Sequence, residues 1–181
     1  MRATPRTAGL AATVLTLGLL GTVPAVPAAA AVITATVTVP ASSASGVSST
    51  VTVHTGDTVT ITASGSAGYG AEGAAPCVGY PVTAPDGSRT LGGTNCGPKD
   101  DPNATLSGAA IGLLIGRIGT GAWFGVGSSD TFTPDATGTL TLAYNDSIYT
   151  DNTGSYSATV KDTILGGGGP PPHCPPGGCP P

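Results

Sequence analysis

The chain of 181 residues predicts an all-β fold, an antiparallel β-sandwich, and three observations carry that reading. Apolar and polar residues alternate with period 2 along most of the chain, as half-buried strands require. The alternating runs are rich in Val and Thr, which fit a pleated surface, and are separated by Gly-containing turns. Helical periodicity is absent except for one dense apolar run, so stacked sheets are the architecture that can bury these faces.

The elements follow in order. Met1–Arg6 carries two arginines and no acid, Ala8–Leu20 is apolar, and Pro24–Ala31 ends in small residues that fit an A-x-A cleavage site. Residues 1–31 therefore read as a secretory signal peptide, too short in its apolar run for a spanning helix of about 20 residues. The mature chain, residues 32–181, is expected to be secreted. Ile33, Ala35, Val37 and Val39 point one way while Thr34, Thr36 and Thr38 point the other. Val51 and Val53, then Val59, Ile61 and Ala63, form a pair joined by His54-Thr55-Gly56-Asp57, where Gly tolerates positive φ and Asp can form an Asx turn. Residues 66–108 hold long loops, which in a compact domain are functional or cross-linked. Leu113–Ile118 is a buried strand or a short helix. Leu140, Leu142, Tyr144 and then Tyr156, Ala158, Val160 complete the set. The β-domain spans 32–165. Residues 166–181, four glycines and then proline-rich sequence, cannot build a core and read as a flexible, then stiff tail that leaves attachment to a cell surface open.

Composition narrows the partners. A formal charge of −4 and a pI near 4.7 exclude the basic patch that nucleic acid calls for, and no polybasic stretch suits an anionic membrane. Aromatics are 4% of the chain, so its core rests on Val, Ile, Leu and Ala. Export permits disulfides, and Cys77 with Cys96 brackets a Gly- and Pro-rich loop, which suggests one pair. Cys174 and Cys179 can close a small ring or stay free, and four cysteines allow three pairings. With His173 they lack the fourth ligand of a structural zinc site.

Only 9% of the residues are charged, yet Asp146, Asp151, Asn145 and Asn152 crowd into the segment between Tyr144 and Tyr156. A hard cation such as Ca²⁺ takes six to eight oxygen ligands at about 2.3–2.6 Å from carboxylates, amides and backbone carbonyls. Asp146, Asp151 and Asn152 can supply part of that shell, and the vacant positions suit vicinal hydroxyls of a sugar. The competing reading is an Asx-rich turn whose side chains cap their own backbone.

The same residues resemble a known family. Tyr144-Asn145-Asp146 followed by Asp151-Asn152-Thr153-Gly154-Ser155-Tyr156 is similar to the calcium loop of the PA-IL-like galactophilic lectins of bacteria. Gly56-Asp57-Thr58-Val59-Thr60-Ile61, Gly68-Tyr69-Gly70, Leu113–Gly119 and Phe124-Gly125-Val126-Gly127 agree in order and spacing. The resemblance implies a jelly-roll sandwich, often oligomeric, that binds Ca²⁺ and through it a carbohydrate, galactose or a sugar with similar vicinal hydroxyls. It implies calcium ligation by the side chains of Asp146, Asp151 and Asn152, by the Tyr69 carbonyl, and by a mid-loop carbonyl for which Thr150 is the choice and Ile148 the rival. Asp146 and Asp151 would also touch the sugar. The histidine and glutamine that contact galactose in the family are replaced here by the Pro98–Asp101 stretch, where Asp101 or Asp100 can accept sugar hydroxyls or form a solvated turn. The family's early tryptophan is missing.

Other chemistry is thin, and no enzyme is expected. His54 sits at a turn with no matching nucleophile. Asp146 and Asp151 lie in a polar loop, not in the apolar pocket that raises the pKa of a glycosidase acid. Trp123 and Phe124 can stack on a sugar but suit an aromatic-poor core better. Arg117, inside an apolar run, is expected to face solvent or meet an acid. Asn103-Ala104-Thr105 and Asn145-Asp146-Ser147 match the glycosylation pattern. The rival function is a structural surface sandwich whose 146–152 loop is merely stiffened.

Overall fold

The structure is a computed structural model that describes residues 30–164. The expected leader, apart from its last two residues, and the Gly/Pro-rich tail with His173, Cys174 and Cys179 lie outside the described residues. Thirteen strands follow one another: β1 (Ala31–Pro40), β2 (Val47–Val53), β3 (Thr58–Gly68), β4 (Val82–Thr83), β5 (Arg89–Leu91), β6 (Thr94–Asn95), β7 (Asp100–Asp101), β8 (Ala109–Ala110), β9 (Leu114–Ile118), β10 (Phe124–Gly125), β11 (Ser129–Phe132), β12 (Gly138–Tyr144) and β13 (Thr153–Ile164). Every pairing between them is antiparallel, and no helix occurs among the described residues. The expected all-β sandwich is what forms.

A seven-stranded sheet runs β1-β13-β3-β4-β5-β6, with β11 also on β3, and a four-stranded sheet runs β10-β9-β12-β2. The long strand β13 is the spine of the first sheet, paired along its length with β1 on one edge and β3 on the other. The edge of β3 away from β13 is shared: β11 takes its first half, from Val59 to Thr62, and β4 takes its end at Ala67 and Gly68. A third, two-stranded sheet of β7 and β8 lies in the long loop region.

The alternation read from sequence decides which side chains face inward. Val37, Val39, Val51, Val53, Val59, Ile61, Leu140, Leu142, Ala158 and Val160 are buried, joined by Tyr144 and Tyr156. Each fully buried Val, Ile or Leu contributes about 1.5–3 kcal/mol, so this row is the main stabilising element. Leu113–Ile118 resolves as a strand: Leu114–Ile118 pairs with β12, which supplies backbone partners that an isolated helical turn would lack. Arg117 is half-exposed and has no acid partner among the described residues. Its guanidinium lies 4.5 Å from the centre of the Trp123 ring, a cation–π contact. Phe124 meets Phe132 edge-on at 5.1 Å between ring centres and packs against the core.

The turn at His54–Asp57 forms as its residues suggest. Gly56 has φ +91°, the left-handed region open to glycine, and Asp57 Oδ2 accepts the His54 N–H at 2.9 Å. At the other end of β3 the chain enters the 69–111 region, which adds β4, β5 and β6 to the same sheet. There Cys77 and Cys96 are disulfide-bonded, as the bracketed loop suggested, with Cα atoms 5.7 Å apart.

Candidate functional site

Strands β3, β12 and β13 bring three chain segments together at one end of the sandwich. β12 ends at Tyr144 and delivers Asp146, β13 begins at Thr153 just after Asn152, and β3 ends at Gly68 just before Tyr69. Because β12 and β13 belong to different sheets, the 145–152 loop crosses from one to the other. A cleft of about 450 Å³ opens there, within the range of small-molecule sites. Its walls include Tyr69, Gly70, Lys99, Asp100, Asp101, Asp146, Ile148 and Asp151.

Most of the oxygen donors expected from sequence converge on this cleft. Asp146 is buried; its Oδ1 accepts the Ser147 N–H at 2.7 Å and the Ile148 N–H at 3.4 Å, an Asx turn. Burial pushes its carboxyl above the usual carboxylate range, against hydrogen bonds from Asn152 and from those two backbone amides, and the nearby Asp151 charge adds to the rise. Asn152 is buried too. Its Nδ2 donates to the Ala41 carbonyl at 3.1 Å, which fixes the amide, while its Oδ1 has no hydrogen-bond partner. A buried acceptor left unpaired is costly, and a cation beside it removes that cost. Asp151 is exposed and its carboxylate lies against Gly70 so closely that a Cβ there would collide with it. A side chain at position 70 would push the Asp151 carboxylate away from the Tyr69 segment.

The remaining expected residues are placed less evenly. Tyr69 lines the cleft. Thr150 is exposed and is not on the cleft wall, whereas Ile148, its rival for the mid-loop carbonyl, is. Asp101 is half-buried on the wall, with Oδ2 accepting the Ser147 hydroxyl at 2.5 Å and Oδ1 accepting the Asn103 N–H at 2.8 Å. The Ser147 bond above all, then the Asn103 amide, hold its carboxyl below the usual range. Through these two bonds Asp101 latches the 99–103 segment onto the 146–148 loop while staying on the cleft wall. Trp123 and Phe124 are not on this wall.

Three residues that brace the cleft were given no role in it from the sequence. Asn145 is fully buried, so it is no glycan acceptor: its Oδ1 takes the Leu106 N–H at 2.7 Å and its Nδ2 donates to Ala110 O at 3.1 Å. It ties the 99–111 region to the end of β12. Glu72 and Arg89 form the second brace. Glu72 Oε1 receives Arg89 Nη1 at 2.6 Å, the Tyr69 hydroxyl at 2.6 Å and Lys99 Nζ at 2.7 Å, while Arg89 also donates to the Gly97 carbonyl at 2.8 Å. Burial alone would raise the Glu72 pKa, but the bonds from Lys99, Tyr69 and Arg89 outweigh it and bring it down to about 2. Burial, helped by the Glu72 bond, takes the Tyr69 phenol up to about 12. In so charge-poor a chain, Glu72, Arg89 and Lys99 within one loop were the available signal for this brace.

With the geometry in view, the comparison with solved structures is informative. The chain matches the structure of the EclA N-terminal domain, a PllA-like lectin, with a TM-score of 0.51 and 28% sequence identity, over 72% of this chain and 97% of that one. This is a lectin-like fold. No protein-family model and no curated protein matches the chain.

Proposed function

We propose that this protein is a secreted, non-catalytic carbohydrate-binding protein that holds its sugar through Ca²⁺ at the Asp146–Asn152 loop. The observation that carries the reading is the donor set at the cleft on a lectin-like fold. Asn152, beside Asp146 but behind the cleft wall, has its Oδ1 buried without a partner, and the Asp146 carboxylate is desolvated beside Asp151. That set fits a hard cation, because two carboxylates neutralise it and neutral oxygens complete the shell. Asp146, Asp151 and Asn152 would hold the ion with the backbone carbonyls of Tyr69 and of Ile148 or Thr150. The ion supplies the open coordination positions that vicinal hydroxyls of galactose or a related sugar can fill.

The chain's own residues do the rest. Gly70 lets Asp151 close against the Tyr69 segment, and Asn145 and Asp101 hold the outer wall in register with the loop. Lys99 and Asp100 present charge at the wall, where they can meet further hydroxyls. A single shallow site of this kind binds weakly, and a homo-oligomer would raise its avidity.

The Asx turn at Asp146, with its two backbone N–H bonds, favours a second reading in which the loop is only stiffened and no glycan binds. A glycan array on the mature protein, run with Ca²⁺ and with chelator, separates the two. Calcium-dependent signal that disappears in Asp146→Ala supports the lectin reading. Calcium binding by titration with no glycan signal in either condition overturns it in favour of the structural one.

A further inference from the structure

The opposite end of the sandwich carries a second cluster that the sugar site does not use. From Thr153 to Asp162, β13 covers roughly 30 Å at about 3.3 Å per residue, so the two ends are far apart. Asp162 continues the inward row of Tyr156, Ala158 and Val160, which places a carboxylate where the pattern calls for an apolar side chain. It is fully buried, and neither of its oxygens has a hydrogen-bond partner. Asp57, 4% exposed, and His54 stand beside it from the β2–β3 turn. One ligand atom from each of His54, Asp57 and Asp162 lies within 4.8 Å of the others, and His54 Nδ1 is 3.4 Å from Asp57 Oδ2.

We propose that His54, Asp57 and Asp162 form a binding site for a divalent transition-metal ion of the Zn²⁺ type, separate from the calcium loop. One imidazole and two carboxylates are a borderline donor set, suited to Zn²⁺ and its neighbours. They are too few in oxygen, and wrong in nitrogen, for Ca²⁺. A tetrahedral ion with bonds of about 2.0 Å holds its ligand atoms roughly 3.3 Å apart. The His54 Nδ1–Asp57 Oδ2 separation of 3.4 Å already matches that spacing, and the His54 side chain, 55% exposed, can turn to admit the ion to a cluster that lies within 4.8 Å. Water takes the fourth position. The unpartnered Asp162 oxygens are the independent sign of a cation, since a buried carboxylate without donors is a place that positive charge stabilises. Burial first, then the Asp57 charge, hold the Asp162 carboxyl above its ordinary range while His54 pulls the other way; a proton shared with Asp57 adds to the rise, and a metal ion would take the place of that proton. The ion would pin the β2–β3 turn, which crosses from the four-stranded sheet to the seven-stranded one, to the end of β13.

The test is a titration of the mature chain with ZnCl₂ in excess CaCl₂, with Co²⁺ as a spectroscopic substitute whose visible bands report tetrahedral coordination. Because His173, Cys174 and Cys179 bring donors of their own, the result is read as the difference between variants. Expected is one equivalent of Zn²⁺ lost in His54→Ala and in Asp162→Asn but retained in Asp146→Ala. Affinity should fall at least about 100-fold, beyond the 10–100-fold typical of an outer-shell partner. His54 is exposed, so its removal leaves the fold intact and the comparison sound. Equal stoichiometry and affinity in wild type and His54→Ala, or no Zn²⁺ uptake in either, would mean that Asp57 and Asp162 share only a proton and would overturn the proposal.

Discussion

The two ends of the sandwich present nearly the same ingredients and arrive at different sites. Each end sets two aspartates beside β13, where the chain passes from one sheet to the other, and each holds a buried side-chain oxygen without a partner. At the Asp146 end the loops are long: residues 69–71, 99–103 and 145–152 spread apart and leave a cleft. At the Asp162 end a short turn from His54 to Asp57 folds tightly over the strand end, and only the imidazole reaches solvent. Loop length rather than residue type decides whether acidic strand ends become a ligand cleft or a closed cage. The long loops in turn need bracing, which Asn145, Glu72–Arg89 and the Cys77–Cys96 disulfide supply and the short turn does not require.

The comparison can be broken most sharply at Asp146. Asp146→Ala should weaken calcium-dependent glycan retention by about 100-fold or more, roughly 2.7 kcal/mol, with Zn²⁺ uptake at the far end unchanged. Parallel loss at both ends would show that the variant unfolds the sandwich instead of emptying one site.

Next in size is the brace. Glu72→Gln keeps the shape but removes a charge that receives three donors, and urea denaturation should show a loss of about 2 kcal/mol. The pH dependence has a definite sign. Glu72 has a folded pKa depressed from 4.5 to about 2, so its contribution is fully present above pH 4.5 and fades as pH falls towards 2. The gap between wild type and Glu72→Gln should therefore narrow across that window; a constant gap would mean the brace is not ionic.

A smaller effect is expected at Gly70. Gly70→Ala inserts a Cβ against the Asp151 carboxylate, and calcium affinity should drop about 10-fold, near 1.4 kcal/mol, while the melting temperature barely moves. An unchanged calcium isotherm would remove Asp151 from the ligand set. Smallest is Asp162→Asn in chelator, which replaces an unpartnered buried carboxylate by a neutral isostere and should raise stability by about 1 kcal/mol in thermal unfolding. Destabilisation would show that the charge has a partner after all.

How far the sequence reached differs between the strands and the site. The row Val37, Val39, Val51, Val53, Val59, Ile61 was legible because a half-buried strand must alternate, and the fold class followed from it. The Gly- and Pro-rich loop between Cys77 and Cys96 suggested their pairing, but with three pairings open it took the structure to fix it. Asp146, Asp151 and Asn152 stood out as an acid- and amide-rich stretch in a chain poor in charge. The contact of Arg117 with Trp123, six residues further on, was not legible, because an arginine in an apolar strand has several ways to satisfy itself. For Asp162 the alternation from Tyr156 to Val160 already implies an inward side chain, but not that His54 and Asp57 stand beside it.

By itself, then, the amino-acid sequence determined local matters: which residues face the core, where the chain turns, and which short loop concentrates oxygen donors. These depend on neighbours two to four positions away, through strand alternation and turn chemistry. Only the tertiary structure decided that Gly70 must meet Asp151, that Asn145 pins the 99–111 region, and that Thr150 lies off the wall while Ile148 lies on it. It alone brought His54 and Asp57 to Asp162 across more than a hundred residues of chain. Such contacts are set by the strand order β1-β13-β3, which places distant segments side by side, and no local rule of spacing encodes that order.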